Sequence, residues 1–152
     1  MDILTLKEII DNEKKNGKKI VLGCGCFEVF HIGHLEYLEE AKKKGDILII
    51  GLNCDNYIRK HKFREPVFTL EQRMQVIQNI KPVDYVFPFK EDTFDKSIEI
   101  LLPNYFIKGI DRALILEEST CKKYSVEVMR VGTRKVYSST QLLNDHFSFE
   151  DR

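Results

Sequence analysis

The chain is predicted to adopt an α/β fold, a Rossmann-like doubly wound parallel sheet of about five strands in a three-layer α/β/α arrangement. Apolar strand patterns alternate with helical patterns along the chain, which is the order that builds a parallel sheet. The run 46–53 is apolar almost throughout, as strands buried on both faces are. Polar, glycine-bearing segments follow four of the strand patterns, and such sheets bind ligands at that edge.

The first half of the chain alternates helix and strand. A capping box at 5–8 predicts the start of a polar helix, which Gly17 ends. A strand pattern at 19–23 follows it. Leucines at helical spacing then predict a helix at 34–44. The strand at 46–53 leads into a segment that is predicted to be a loop.

The second half of the chain repeats this alternation. A capping box at 69–72 predicts a helix that runs to Pro82. The later elements are predicted, in order, as a strand at 85–87, a helix at 96–102 that ends at Pro103, strands at 105–107 and 126–131, and a last helix that opens with a capping box at 138–141.

Composition is typical of one soluble domain, with 152 residues of which 43% are hydrophobic and 32% charged. Lys plus Arg and Asp plus Glu both number 24, and this zero net charge speaks against a nucleic-acid partner. No apolar run suggests a membrane span or a signal peptide, and four cysteines without disulfide spacing fit a cytosol. We expect one cytoplasmic domain at 1–152, in which a helix at 1–18 precedes a Rossmann-like core at 19–147.

The segment 24–34 raises three alternatives: a zinc site, a phosphate site or ordinary packing. Its two cysteines and two histidines match no common structural zinc pattern. Packing alone explains them poorly, because two histidines beside a glycine are costly to bury without partners. A phosphate site accounts for the glycine, the helix start and both histidines of this segment. Gly25 lets a backbone approach a ligand, the helix start offers free N–H groups to an anion, and His31 and His34 lie near one helix face.

The same segment resembles the signature of a known family. Gly25-Cys-Phe-Glu-Val-Phe-His-Ile-Gly-His34 is similar to the Gly-x-Phe-Asp and His-x-Gly-His motifs of the cytidylyltransferase-like nucleotidyltransferases, except that Glu28 stands where the family usually has Asp. The N-terminal helix and the segment 89–93 resemble most the branch that adenylylates heptose 1-phosphate. Further segments follow the family order over nearly the whole chain: 41–46, 51–55, 71–73, 83–84, 108–111 and 139–140.

The resemblance implies a nucleotidyl transfer. A phosphate of the substrate attacks the α-phosphorus of a nucleoside triphosphate, and pyrophosphate leaves. ATP and heptose 1-phosphate are the implied small-molecule substrates, and an ADP-heptose type of nucleotide-sugar is the product. Mg²⁺ is expected as the cofactor, held through phosphate oxygens and water rather than by protein ligands. The resemblance also implies a homodimer.

The resemblance assigns roles to individual residues. Because the attacking phosphate is already anionic, positioning and charge stabilisation suffice for catalysis. The implied catalytic residues are His31, His34 and Lys62. The implied contacts of the nucleotide and its phosphates are Gly25, Cys26, Phe27, Gly33, Lys60, Arg73, Lys108, Gly109, Asp111, Ser139 and Thr140. The implied contacts of the acceptor are Asn53, Asp55 and Arg64.

Alternatives remain for single residues and for the function. A surface ion pair is the alternative for Arg73, a turn is the alternative for Asp55, and helix caps are the alternative for Asp111 and for the Ser139–Thr140 pair. Glycerol-3-phosphate cytidylyltransferase and FMN adenylyltransferase are the runner-up activities. An inactive nucleotide-binding module and a zinc-dependent protein are the alternatives from other classes.

Overall fold

Five parallel strands form the sheet, in the order β3-β2-β1-β4-β5. The computed structural model describes residues 1–110 and 114–132. Each strand is parallel to its neighbours, which confirms the predicted doubly wound sheet. The strands are β1 (Ile20–Gly25), β2 (Ile47–Asn53), β3 (Tyr85–Phe89), β4 (Tyr105–Gly109) and β5 (Glu127–Val131).

Helices cover both faces of this sheet. Within the described residues they are α1 (Ile3–Lys15), α2 (Ile32–Lys42), α3 (Asp55–Lys62), α4 (Leu70–Gln78), α5 (Asp95–Leu101) and α6 (Glu118–Lys123). The apolar sides of α2 and α4 pack on one face, and those of α1, α5 and α6 pack on the other. This arrangement confirms the three predicted layers. No helix in the described part of the chain is long and apolar enough to span a membrane.

Two helix starts show how side-chain caps set the helix bounds. Thr69 caps α4 as predicted, and it exchanges reciprocal hydrogen bonds with Gln72. The first predicted capping box, which began at Thr5, is wrong because α1 starts earlier. The carboxylate of Asp2 accepts hydrogen bonds from the backbone N–H groups of Leu4 and Thr5 at 3.1 and 3.0 Å. A carboxylate caps a helix at least as well as a threonine hydroxyl, so the earlier acceptor sets the start.

The segment after β2 also differs from the prediction, because the predicted loop contains the helix α3. Within α3 only Ile58 is buried, so the segment has little of the apolar periodicity that reveals a helix. Phe63 ends α3 with a left-handed φ of 55°, and it is 90% exposed. The short helix α6 has no predicted counterpart either. The predicted last helix, at 138–141 and beyond, lies outside the described residues.

The direction in which the sheet grows reverses at β1. The strands β2 and β3 lie on one side of β1, and β4 and β5 lie on the other, so a ligand crevice is expected beyond the ends of β1 and β4. Tyr37 of α2 bridges this point, since its hydroxyl donates to the carbonyl oxygen of Ile107 at 3.1 Å. A Cβ on Gly23 would lie 2.4 Å from that hydroxyl. Gly23 therefore leaves room for the bridge between α2 and β4.

Candidate active site

The turn between β1 and α2 places two histidines at the start of a helix. His31 is the N-cap of α2, and its Nδ1 accepts a hydrogen bond from the Gly33 backbone N–H at 3.1 Å. The Nδ1 of His34 accepts a hydrogen bond from the His31 backbone N–H at 3.2 Å. The pair is a capping box built from two imidazoles. Because both Nδ1 atoms accept, each neutral ring carries its proton on Nε2.

The two rings stack, with centroids 3.8 Å apart and planes inclined by 25°. Phe27 and Phe30 enclose His34 further, with ring centroids at 5.0 and 5.5 Å. Burial lowers the pKa of His34 to about 3, with smaller contributions in the same direction from the neighbouring His31 and Lys62. Burial also lowers the pKa of His31. Both rings are therefore neutral at pH 7 and offer Nε2–H groups as uncharged donors.

Gly25 and Phe27 give this turn its shape. Phe27 has a φ of 50°, in the left-handed region, which costs free energy for a residue with a side chain. Its ring packs so closely on the strand end that a Cβ on Gly25 would lie 2.8 Å from it. Gly25 is therefore needed for the packing of Phe27, a reason that the sequence did not reveal. Their predicted contact with the nucleotide stays a prediction.

Glu28 joins the loop after α3 to the histidine turn. Its side chain has no exposed surface, and its carboxylate accepts a hydrogen bond from Lys62 at 2.8 Å. Arg64 donates two further hydrogen bonds to the same carboxylate. Burial opposes the ionisation of Glu28, but the hydrogen bonds from Arg64 and Lys62 outweigh it and lower the pKa to about 2. The structure therefore brings Lys62 and Arg64, both predicted site residues, to the turn that leads to His31. The charge of Lys62 also acts on the ring of His34.

Arg73 was predicted to contact phosphate, with a surface ion pair as the alternative, but the structure places it inside the protein. It is 1% exposed. Its guanidinium donates to the carbonyl oxygens of Cys26 and Asn53 at 2.9 and 2.8 Å, and to that of Phe68 at 3.0 Å. It also pairs with the carboxylate of Asp55 at 2.8 Å. These four hydrogen bonds make Arg73 a structural tie between the ends of β1 and β2.

Two residues predicted on the acceptor side belong to the same tie. Asp55 at the start of α3 pairs with Arg73, a contact that neither its predicted acceptor role nor the turn alternative included. Asn53 is 7% exposed, and its Oδ1 accepts from the Cys26 thiol at 3.6 Å. In this structure these side chains hold the strand ends together. The sequence placed Asp55 after β2 and Arg73 in α4, but it contained no local signal for the ion pair between them.

Two lysines that were predicted to contact phosphate pair with carboxylates. The ammonium of Lys60 lies 2.7 Å from Asp92 in an exposed ion pair. Lys108 lies 3.7 Å from the buried Glu117 and 5.3 Å from the centroid of the Phe106 ring. Glu117 was not predicted as part of the site. Gly109 ends β4, whereas Asp111, Ser139 and Thr140 lie outside the described residues.

A zinc site would require several His, Cys, Asp or Glu side chains grouped around one point. None of the four cysteines forms a disulfide bond. Among residues 1–110 and 114–132, no three His, Cys, Asp or Glu side chains are grouped so that they could hold a metal ion. The histidines of the turn use their Nδ1 atoms as helix caps instead. The geometry of this segment therefore favours the phosphate site over the zinc site.

The family model described as cytidylyltransferase-like matches residues 22–145 of this chain. The chain belongs to this family, whose class is nucleotidyltransferase. It is 42% identical over 107 residues to the bifunctional protein HldE of Actinobacillus pleuropneumoniae serotype 5b, a match that covers 70% of this chain and 22% of that protein. It is 41% identical over 110 residues to the HldE protein of Helicobacter pylori, covering 72% of this chain and 24% of that protein. The chain thus matches less than a quarter of the length of these curated relatives.

A solved structure supports the same fold. The lipopolysaccharide core biosynthesis protein from Thermoplasma volcanium superposes with a TM-score of 0.68 at 28% sequence identity. The match covers 80% of this chain and 100% of that one. The superposition shows that the two chains share their fold.

Replacing Arg73 by Lys is expected to destabilise the protein by about 2 kcal/mol or more. A lysine keeps the charge but lacks the planar fork, so buried carbonyl oxygens lose their donors. Urea unfolding measures the loss. Arg59→Lys is the matched control, because Arg59 is an exposed arginine paired with Glu65 and its replacement should change the midpoint little. Equal midpoints for the two variants would contradict the structural role of Arg73.

The unfolding free energy is expected to fall as the pH is lowered from 7 to 4.5. An unfolded histidine has a pKa near 6.5, whereas folded His34 has one of about 3, so the unfolded state binds more protons between these values. The contribution of neutral His34 is complete above pH 6.5 and is lost towards pH 3. Urea midpoints at pH 7, 5.5 and 4.5 measure this loss. In His34→Gln, which keeps a capping acceptor, the dependence should be flatter, and an equal slope in both proteins would count against the buried neutral ring.

Proposed function

We propose that this protein transfers AMP from ATP to heptose 1-phosphate, which gives ADP-heptose and pyrophosphate. The observation that carries the proposal is the pair of neutral histidines at the start of α2, in a turn whose Glu28 also binds Lys62. The choice of heptose 1-phosphate is supported by the likeness to the HldE proteins and by the related lipopolysaccharide core biosynthesis protein. The resemblance of the N-terminal helix and of 89–93 to the heptose branch supports it further.

The chemistry needs donors more than it needs a base. A phosphate oxygen of the acceptor attacks the α-phosphorus of ATP, and the bond from that phosphorus to the bridging oxygen of pyrophosphate breaks. Negative charge shifts onto the non-bridging and leaving oxygens during this step. His31 and His34 would donate Nε2–H hydrogen bonds to these oxygens, and the ammonium of Lys62 would add a positive charge. The start of α2 contributes its backbone N–H groups and dipole.

Mg²⁺ is proposed to enter with the triphosphate. The described residues offer no group of three carboxylate, histidine or cysteine ligands for an ion, and the carboxylate of Glu28 is already paired with two cations. Ligation by phosphate oxygens and water, which suits Mg²⁺, fits this donor set. The ion supplies charge neutralisation on the phosphates. A cytoplasmic homodimer is the proposed form of the protein, and analytical ultracentrifugation measures its oligomeric state.

Pyrophosphate release in a grid of substrates tests the proposal. ATP and CTP are each combined, with Mg²⁺, with heptose 1-phosphate, glycerol 3-phosphate and FMN. Release is expected with ATP and heptose 1-phosphate. Release with CTP and glycerol 3-phosphate, or with ATP and FMN, would replace the proposed activity by a runner-up. Nucleotide binding without release in any combination would favour an inactive nucleotide-binding module.

Replacing His31 by Asn is expected to lower turnover by about 100-fold while the protein stays folded. Asparagine is a good N-cap, so the start of α2 keeps its acceptor, but the Nε2–H donor to the reacting phosphate is lost. Removal of one such donor costs about this factor in other enzymes. Steady-state pyrophosphate release and the urea midpoint are measured together. His61→Asn, at an exposed histidine of α3, is the control. Near-wild-type turnover in His31→Asn would contradict the role assigned to His31.

A further inference from the structure

Glu28 holds its two cationic partners unequally. Arg64 donates from Nη1 to one carboxylate oxygen at 2.9 Å and from Nη2 to the other at 2.7 Å. The Val67 backbone N–H adds a donor at 3.2 Å, whereas Lys62 supplies a single hydrogen bond at 2.8 Å. If Lys62 leaves, three donors remain on the buried carboxylate. If Arg64 leaves, its two-pronged pair is lost, and such pairs are among the strongest in proteins.

Lys62 differs from Arg64 in its effect on the histidines, because its charge acts on the ring of His34. About a third of each cationic side chain is exposed. The buried carboxylate of Glu28 presents two oxygens to these cations, as a phosphate group does. A triphosphate bound beside the histidines would therefore compete with Glu28 for the same ammonium group, because both anions can accept the same N–H donors.

We propose that Glu28 is a positioning residue that holds Lys62 at the turn between β1 and α2 in the free protein, and that an incoming nucleoside triphosphate takes the Lys62 ammonium from it while Arg64 keeps the loop in place. This inference rests on the proposed function and names what regulates access to its phosphate-binding lysine. The exchange keeps every charge paired. Glu28 retains Arg64 and the Val67 N–H, and Lys62 passes from a carboxylate to a phosphate.

The length of the Glu28 side chain matters for this arrangement. The family motif usually has Asp at this position, and Glu is longer by one methylene. The extra length lets one carboxylate reach two side chains of the loop after α3, Lys62 and Arg64, and also the Val67 backbone. Glu28→Asp is therefore expected to keep the Arg64 fork and to lose the hydrogen bond to Lys62.

Binding and turnover together test the inference. Isothermal titration measures the affinity for Mg·ATP without an acceptor, and pyrophosphate release measures turnover. In Glu28→Gln, Lys62 has no anion to leave, so the affinity should rise about 3- to 10-fold, which is the scale of one net hydrogen bond. Turnover should fall about 10-fold or more, because Lys62 is no longer positioned. Glu65→Gln, at an exposed glutamate of the same loop, is the matched control and should change neither.

A double-mutant cycle with Lys62→Met separates exchange from a structural effect. The gain in affinity should vanish when Glu28→Gln is combined with Lys62→Met, because the gain depends on that ammonium. A fall in affinity and turnover together with the urea midpoint would overturn the inference, as would a gain that survives without Lys62. If Glu28→Gln shows no cooperative unfolding, Glu28→Asp takes its place with the same expected direction in affinity.

The same measurements keep the inference apart from the proposed function. If the wild-type protein binds Mg·ATP but releases no pyrophosphate with any acceptor, the proposed activity fails and the affinity cycle alone decides the role of Glu28. If the wild-type protein turns over and Glu28→Gln binds no more tightly, the inference alone fails. If the wild-type protein binds no nucleoside triphosphate, both are overturned.

Discussion

The position of the histidine turn depends on one buried cation. The guanidinium of Arg73 holds the carbonyl oxygens at the ends of β1 and β2, and it reaches Asp55 at the start of α3. Strands that end in a parallel sheet leave carbonyl groups without partners, and buried groups of this kind are costly. Arg73 donates hydrogen bonds to these carbonyl groups. It therefore fixes the position at which the turn after β1 begins.

The histidines then have a structural and a chemical use at once. The Nδ1 atom of each ring accepts a hydrogen bond from a backbone N–H at the start of α2. This bond fixes the orientation of the ring and leaves the proton on Nε2. A charged ring would need a proton on Nδ1, where the backbone already donates. Capping and burial thus act together, and they keep both rings neutral but able to donate. Catalysis by donors that are already oriented needs little reorganisation when charge develops.

The sequence predicted the fold and the core of the site from patterns that are local. Alternating apolar strands and helices gave the parallel sheet, and the segment from Gly25 to His34 marked its functional edge. The contacts of the cationic side chains could not be predicted from such local patterns. Arg73 lies in a helix whose polar sequence is typical of a surface helix. Its hydrogen bond to the carbonyl oxygen of Asn53, at the end of β2, depends on the tertiary fold. Glu28 meets Lys62 and Arg64 across more than 30 positions of sequence, a contact without a local signal.

The ring nitrogens of His31 and His34 offer the most direct measurement of the central claim. Long-range ¹H–¹⁵N NMR at pH 7 distinguishes the two neutral tautomers from the imidazolium form, and spectra of His31→Asn and His34→Gln assign the signals. The structure predicts that both rings are neutral with the proton on Nε2, and that His34 stays neutral at pH 5. A proton on Nδ1 of either ring at pH 7 would contradict the account, because the ring could then neither cap α2 nor have the geometry of the proposed donor.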